Sequence, residues 1–131
     1  MGGHLAAISD KSENDWIVNT FEPSAIGAQG LWIQALWIGL NDANPTHTWG
    51  WSNGEPLTYQ NWDAGEPNFP LEYYGQMYVS GNGSNRPRGT WNNTLDDCWG
   101  NPLLGVVEVV PEPATLGMLA IGAMALLRRR R

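Results

Sequence analysis

Trp62-Asp63-Ala64-Gly65-Glu66-Pro67-Asn68, followed by Glu72 and closed by Gly89-Thr90-Trp91-Asn92-Asn93, concentrates the side-chain oxygens of this 131-residue chain. Two oxygen-bearing side chains separated by one proline, a further carboxylate and a downstream amide pair suit a hard cation such as calcium, which takes several oxygen ligands in an adaptable shell. Pro67 stiffens the turn and donates no hydrogen bond, so Glu66 and Asn68 can be held pointing the same way.

Working outward, Leu57-Thr58-Tyr59-Gln60-Asn61 leads into Trp62, and Thr48-Trp49-Gly50-Trp51 alternates as a short strand before a hairpin turn at Ser52-Asn53-Gly54. Leu31-Trp32-Ile33 and Leu36-Trp37-Ile38-Gly39-Leu40 repeat an apolar word, and the second, bounded by Asn41-Asp42, reads as a strand covered on both faces. Asp10 with Glu13 three residues on starts a helix whose Trp16, Ile17, Val18 and Phe21 gather on one face and which Pro23 ends. Tyr74 to Val79 and Leu104 to Val109 read as strands, and the segment between Glu66 and Thr90 is otherwise an irregular loop. Trp49 and Trp51 are expected in the core.

In this order the motifs resemble those of C-type lectin domains: Gly2-Gly3-His4-Leu5-Ala6-Ala7-Ile8, Trp37-Ile38-Gly39-Leu40, the Trp49 to Asn61 segment, Glu66-Pro67-Asn68 and Trp91-Asn92. The resemblance covers residues 1–110 and implies an α+β fold with small antiparallel sheets, a flanking helix and a long irregular ligand-binding loop. It also implies a start inside the family pattern, with the first strand and helix missing and a sheet edge left open. By the same resemblance Ca2+ would be held by Glu66, Asn68, Glu72, Asn92 and Asn93. Glu66, Asn68, Glu72 and Asn92 would also bind adjacent hydroxyls of a mannose-, glucose- or fucose-type carbohydrate. Asn93 stands where the family has Asp, and the lost negative charge weakens cation binding; Asp96 or Asp97 is expected to compensate. The alternative on the same fold is a calcium-independent protein-interaction or matrix module.

Composition narrows the classes. Residues 1–111 carry twelve acids and three bases, Lys11, Arg86 and Arg88, so there is no basic groove for nucleic acid. Cys98 is the only cysteine, which excludes an intrachain disulfide and reads as a partly buried small residue. No Ser-His-Asp set, zinc cluster or phosphate loop is present. His4 reads as a hydrogen-bonded structural histidine and His47 stands alone in a turn, so the expectation is a binding module and not an enzyme; only the paired carboxylates Glu66 and Glu72 would serve a hydrolase.

Residues 111–131 differ in kind. Pro111-Glu112-Pro113 precedes an apolar run from Leu116 to Leu127 and then Arg128, Arg129, Arg130 and Arg131. Twelve residues make about 18 Å of helix, short of a roughly 30 Å hydrocarbon core, so this is a sorting segment or a partly inserted anchor with the arginines on the cytoplasmic side. The arrangement resembles the PEP-CTERM sorting signal of exported bacterial proteins. That resemblance implies an exosortase-type processing enzyme, transient anchoring in the inner membrane through the C-terminal hydrophobic helix, and release to the cell surface or extracellular matrix, where an exopolysaccharide or surface glycan is the expected partner.

Overall fold

The computed structural model describes residues 2–28, 34–44, 46–79, 86–100 and 102–110. Leu31-Trp32-Ile33, the Gly81 to Asn85 loop and the whole sorting segment therefore lie outside the described residues. Strand β1 (Gly2–Leu5) is followed by helix α1 (Lys11–Ala28), β2 (Ala35–Asn41), β3 (Gly50–Trp51), β4 (Tyr74–Tyr78), β5 (Trp91–Thr94), a 3-10 turn (Cys98–Gly100), β6 (Leu104–Gly105) and β7 (Val107–Val110). One helix against two small sheets is the α+β arrangement expected.

β1 and β7 pair antiparallel, Gly2 opposite Val110 and Leu5 opposite Val107. The second sheet is built on β2, whose apolar run is buried at five of seven positions. One edge of β2 takes β4 antiparallel, and the other takes β3 near its C-terminal end and β6, in parallel, near its N-terminal end. β5 completes the sheet against β4. Gly39 lets this sheet meet the first: its N–H donates to Ala6 O at 2.8 Å, and a Cβ there would lie 2.6 Å from Leu5 O. Ile8, Val18, Leu36, Ile38, Leu40, Met77, Val79 and Trp91 are almost wholly buried between helix and sheet, and burial of this apolar area is the main stabilising term.

Four expectations are corrected. α1 runs through Pro23 to Ala28, because proline removes one backbone bond and the preceding turns are already anchored by buried Ile17 and Val18. Trp16 is 60% exposed, and the inward position belongs to Asn14 at 1%. Helical geometry puts residues 14, 17, 18 and 21 on one stripe and turns 16 away from it. The turn after β3 forms, with Gly54 N–H bonded to Trp51 O at 3.0 Å, but no hairpin follows. Pro56 lacks the N–H that a returning strand needs, and β3 pairs with β2 instead. The closing strand is split into β6 and β7 around buried Val106, which bonds to Trp37 O and receives Ala6 N–H. Cys98 is fully buried, its thiol donating to Gln76 Oε1 at 3.4 Å. His4 lies 3.1 Å from Leu5 O and 3.9 Å from Glu108.

Candidate functional site

The register of β2 against β4 shifts between Trp37 and Asn41, and the ladder then continues through Asp42, whose N–H donates to Tyr73 O at 3.0 Å. A strand that was read from its apolar run thereby delivers an acid beside Glu72. On the other side of the sheet, Trp91 N–H donates to Asn61 O and Asp63 N–H donates to Trp91 O, each at 2.8 Å. These bonds clamp residues 61–63 along the start of β5. Trp91 itself is wholly buried, edge-on to Trp51, Tyr59 and Trp62, with its indole N–H donating to Asn14 Oδ1 at 2.8 Å. Asn14 Nδ2 then donates to Gly89 O at 3.1 Å, as does Asn61 Nδ2 at 2.7 Å.

From this frame the loop opens a cleft of about 200 Å³ whose walls include Trp49 and Phe69 and whose polar lining is Asp42, Asn68, Glu72 and Asn93. Asn93, 1% exposed, organises it: its Oδ1 accepts Asn68 N–H at 3.1 Å, and its Nδ2 donates to Phe69 O at 2.9 Å and Glu72 O at 3.2 Å. Asn92, one residue back on β5, does not line the cleft; alternation along a strand sends neighbours to opposite faces, and its amide donates to Asn93 O at 2.7 Å.

Glu66 also stands apart from the cleft. The Glu66-Pro67 peptide is cis. Its side chain is 1% exposed, with Oε1 accepting from Asn68 Nδ2 at 2.9 Å and lying 3.5 Å from Arg86 Nη1. Arg86 Nη1 donates to Asp63 Oδ2 at 2.6 Å. Burial raises the Glu66 carboxyl above the usual carboxylate range, and the Arg86 charge only partly offsets it. Burial likewise pushes the Tyr78 hydroxyl up to about 12.

Of the five residues expected to hold a metal, the structure brings Asn68, Glu72 and Asn93 together at one cleft and places Glu66 and Asn92 beside it. Asp96 and Asp97 sit exposed in the turn before Cys98 and do not line it. Asp42 is what sequence reasoning missed. In sequence it reads only as the boundary of a strand, and its one legible signal is that position directly after a buried apolar run. The donor chemistry fits a hard cation: Asp42 Oδ1 and Glu66 Oε2 are buried carboxylate oxygens with no hydrogen-bond partner. Among the described residues no group of three or more His, Cys, Asp or Glu side chains is close enough to hold a metal by itself, so backbone and amide oxygens would have to complete a shell.

Comparison with known proteins agrees with this geometry. A family model described as the lectin C-type domain matches residues 1–98, and one for the PEP-CTERM protein-sorting motif matches residues 109–131. A perlucin-like protein of Mytilus galloprovincialis is 35% identical over 69 residues, 52% of this chain and 41% of that relative. The chain thus spans less than half the length of the curated relatives it matches. The carbohydrate-recognition domain of mouse scavenger receptor C-type lectin is 27% identical with a TM-score of 0.56, over 83% of this chain and 74% of that one. A calcium-independent type II antifreeze protein shares the fold at 21% identity and a TM-score of 0.55, over 81% and 66%. Among the described residues no helix is long and apolar enough to cross a membrane.

Proposed function

Because this chain belongs to the C-type lectin domain family and carries a PEP-CTERM sorting motif, we propose that it is an exported bacterial lectin module, not an enzyme, that binds carbohydrate through calcium. The sorting motif implies export and processing by an exosortase. In this reading Pro111-Glu112-Pro113 and Arg128 to Arg131 bracket a segment that anchors the chain transiently in the inner membrane before release to the cell surface or matrix. The ligand is an exopolysaccharide or surface glycan of mannose, glucose or fucose type.

The observation that carries the metal is the unpartnered, buried Asp42 Oδ1 in a cleft shared with Asn68 and Glu72. Asp42, Asn68, Glu72 and the Asn93 oxygen line the cleft and would hold calcium; the family resemblance adds Glu66 and Asn92, which would first have to turn from the partners they have here. Calcium held there would supply a positive centre for two vicinal sugar hydroxyl oxygens. Glu66 and Glu72 would accept hydrogen bonds from those hydroxyls and Asn68 would donate to them, whereas Asn92 would have to turn from the opposite strand face to do the same. With few formal charges in the set, affinity belongs in the weak extracellular range of roughly 10⁻⁴ to 10⁻³ M.

Retention of the protein on mannose-agarose in millimolar calcium, with elution by chelator, is the expected result; retention that chelator does not reverse, or none, would overturn it. A second reading, a calcium-independent protein-interaction or matrix module, draws on Arg86, which already supplies a cation to Asp63 and Glu66. A melting temperature that calcium leaves unchanged would favour it.

A further inference from the structure

Residues 1–111 contain three bases. Lys11 is committed to Asp15 at 2.6 Å, and Arg88 to Glu22 at 2.6 Å and Asn19 at 2.9 Å, all on α1. Arg86 is left to face the loop, where it meets two carboxylates three residues apart. Asp63 is 6% exposed and the Glu66 side chain 1%, whereas Arg86 is 36% exposed and lies 5.9 Å over the Tyr78 ring. Buried acids this close need a counter-charge, since an unpaired buried charge is strongly unfavourable.

We propose that Arg86 is a built-in counter-cation that latches Asp63 and Glu66 in the calcium-free protein and must release Glu66 for a divalent ion to gain that carboxylate. The release half rests on the calcium reading above; the latch half does not. The two contacts are unequal in the way such a device needs. The 2.6 Å bond to Asp63 is short and direct, while Glu66 Oε1 lies at 3.5 Å and Glu66 Oε2 has no hydrogen-bond partner. Arg86 can therefore keep Asp63 while Glu66 changes partner. At equal distance a divalent ion attracts a carboxylate about twice as strongly as a guanidinium does. Asp63 stays fixed throughout, because its N–H is bonded to Trp91 O and its C=O accepts Glu66 N–H at 3.0 Å.

The test compares the full chain with Arg86→Gln and Arg86→Lys by amide hydrogen exchange and thermal melting in chelator, and by calorimetric titration with calcium chloride. In chelator, Arg86→Gln should lose exchange protection over residues 62–72 while β2 and β4 keep theirs, and its melting temperature should fall by about 5 °C or more; Arg86→Lys should fall between. In calcium the gap should narrow, and Arg86→Gln should bind calcium roughly threefold to tenfold more tightly, because no competitor has to be displaced. Unchanged protection and melting in chelator would overturn the latch, and weaker calcium binding by Arg86→Gln would overturn the competition. If neither protein binds calcium yet the variant loses loop protection, the latch stands and the calcium reading falls.

Discussion

Asn93→Asp restores the residue that the family pattern has at this position, and the structure predicts that doing so destabilises the calcium-free protein. The Asn93 amide N–H₂ is what ties β5 to the loop, reaching Phe69 O at 2.9 Å and Glu72 O at 3.2 Å from a position 1% exposed. A carboxylate oxygen there faces both carbonyls with no proton to offer. Phe69 O keeps the Glu72 N–H at 3.2 Å, so its loss is partial. The Glu72 carbonyl loses its bond from this amide, and a negative charge is added in a buried place that already holds Glu72. Taking about 1–3 kcal/mol for a buried hydrogen bond broken with one partner left, and more for the charge, the total is roughly 3–4 kcal/mol. For a domain of this size that lowers the melting temperature by on the order of 10–20 °C. Thermal unfolding in chelator, then in 10⁻² M calcium, reads it directly, with calcium expected to recover more of the loss in the variant than it adds to the wild type. A variant that melts within about 2 °C of wild type in chelator would refute the claim that this amide holds the loop, given the shift per kcal/mol expected at this size.

Trp91→Phe keeps a buried ring and removes the indole N–H, leaving Asn14 Oδ1 without its donor; a loss of about 1–3 kcal/mol is expected in denaturant titration. Gly39→Ala places a Cβ 2.6 Å from Leu5 O and 3.0 Å from Ala6 O, backbone atoms that cannot step aside singly, so the two sheets should separate at a cost of about 1–3 kcal/mol in the same assay. Tyr78 gives a signature at high pH. Its folded pKa of about 12 lies above the ordinary 10, so the unfolded chain loses this proton first and stability should decline as pH rises from about 10 to about 12. Tyr78→Phe should flatten that part of the profile in a pH series of melting curves.

The elements that were legible from sequence are those where one local rule and the packing agree. Leu36 to Leu40 is a buried strand because the run is apolar on both faces and the structure covers both. Asp10 caps α1 as its spacing with Glu13 implies, its Oδ1 accepting Glu13 N–H at 2.9 Å. Glu66-Pro67-Asn68 was recognisable as a loop, whereas β5 (Trp91–Thr94) was not, since Trp-Asn-Asn-Thr shows no apolar alternation. What stayed hidden depends on who lies opposite whom. Asn14 looks like an ordinary helix-surface polar residue until Trp91 and Gly89 arrive to use both ends of its amide. Asp42 enters the cleft because of a register shift between β2 and β4 that leaves no mark in either strand alone. Arg86 shows in sequence only as one of three bases within residues 1–111, and its pairing with Asp63 requires a fold that brings residues 23 apart together.

The Asn14 bridge has a kinetic meaning as well. Its two bonds close segments 75 and 77 residues apart, and Arg88 closes others of 66 and 69 onto the same helix. Contacts so distant along the chain form late, after the entropy of large loops has been given up. The ends of the loop that forms the cleft are thus fastened to helix α1 by bonds between residues far apart in the chain. A chain that stops short of Gly89 or Trp91 has a helix and part of a sheet but nothing to hold the cleft in shape. The cleft takes shape only with completion of the fold, so any ligand that recognised this surface would also distinguish finished molecules from unfinished ones.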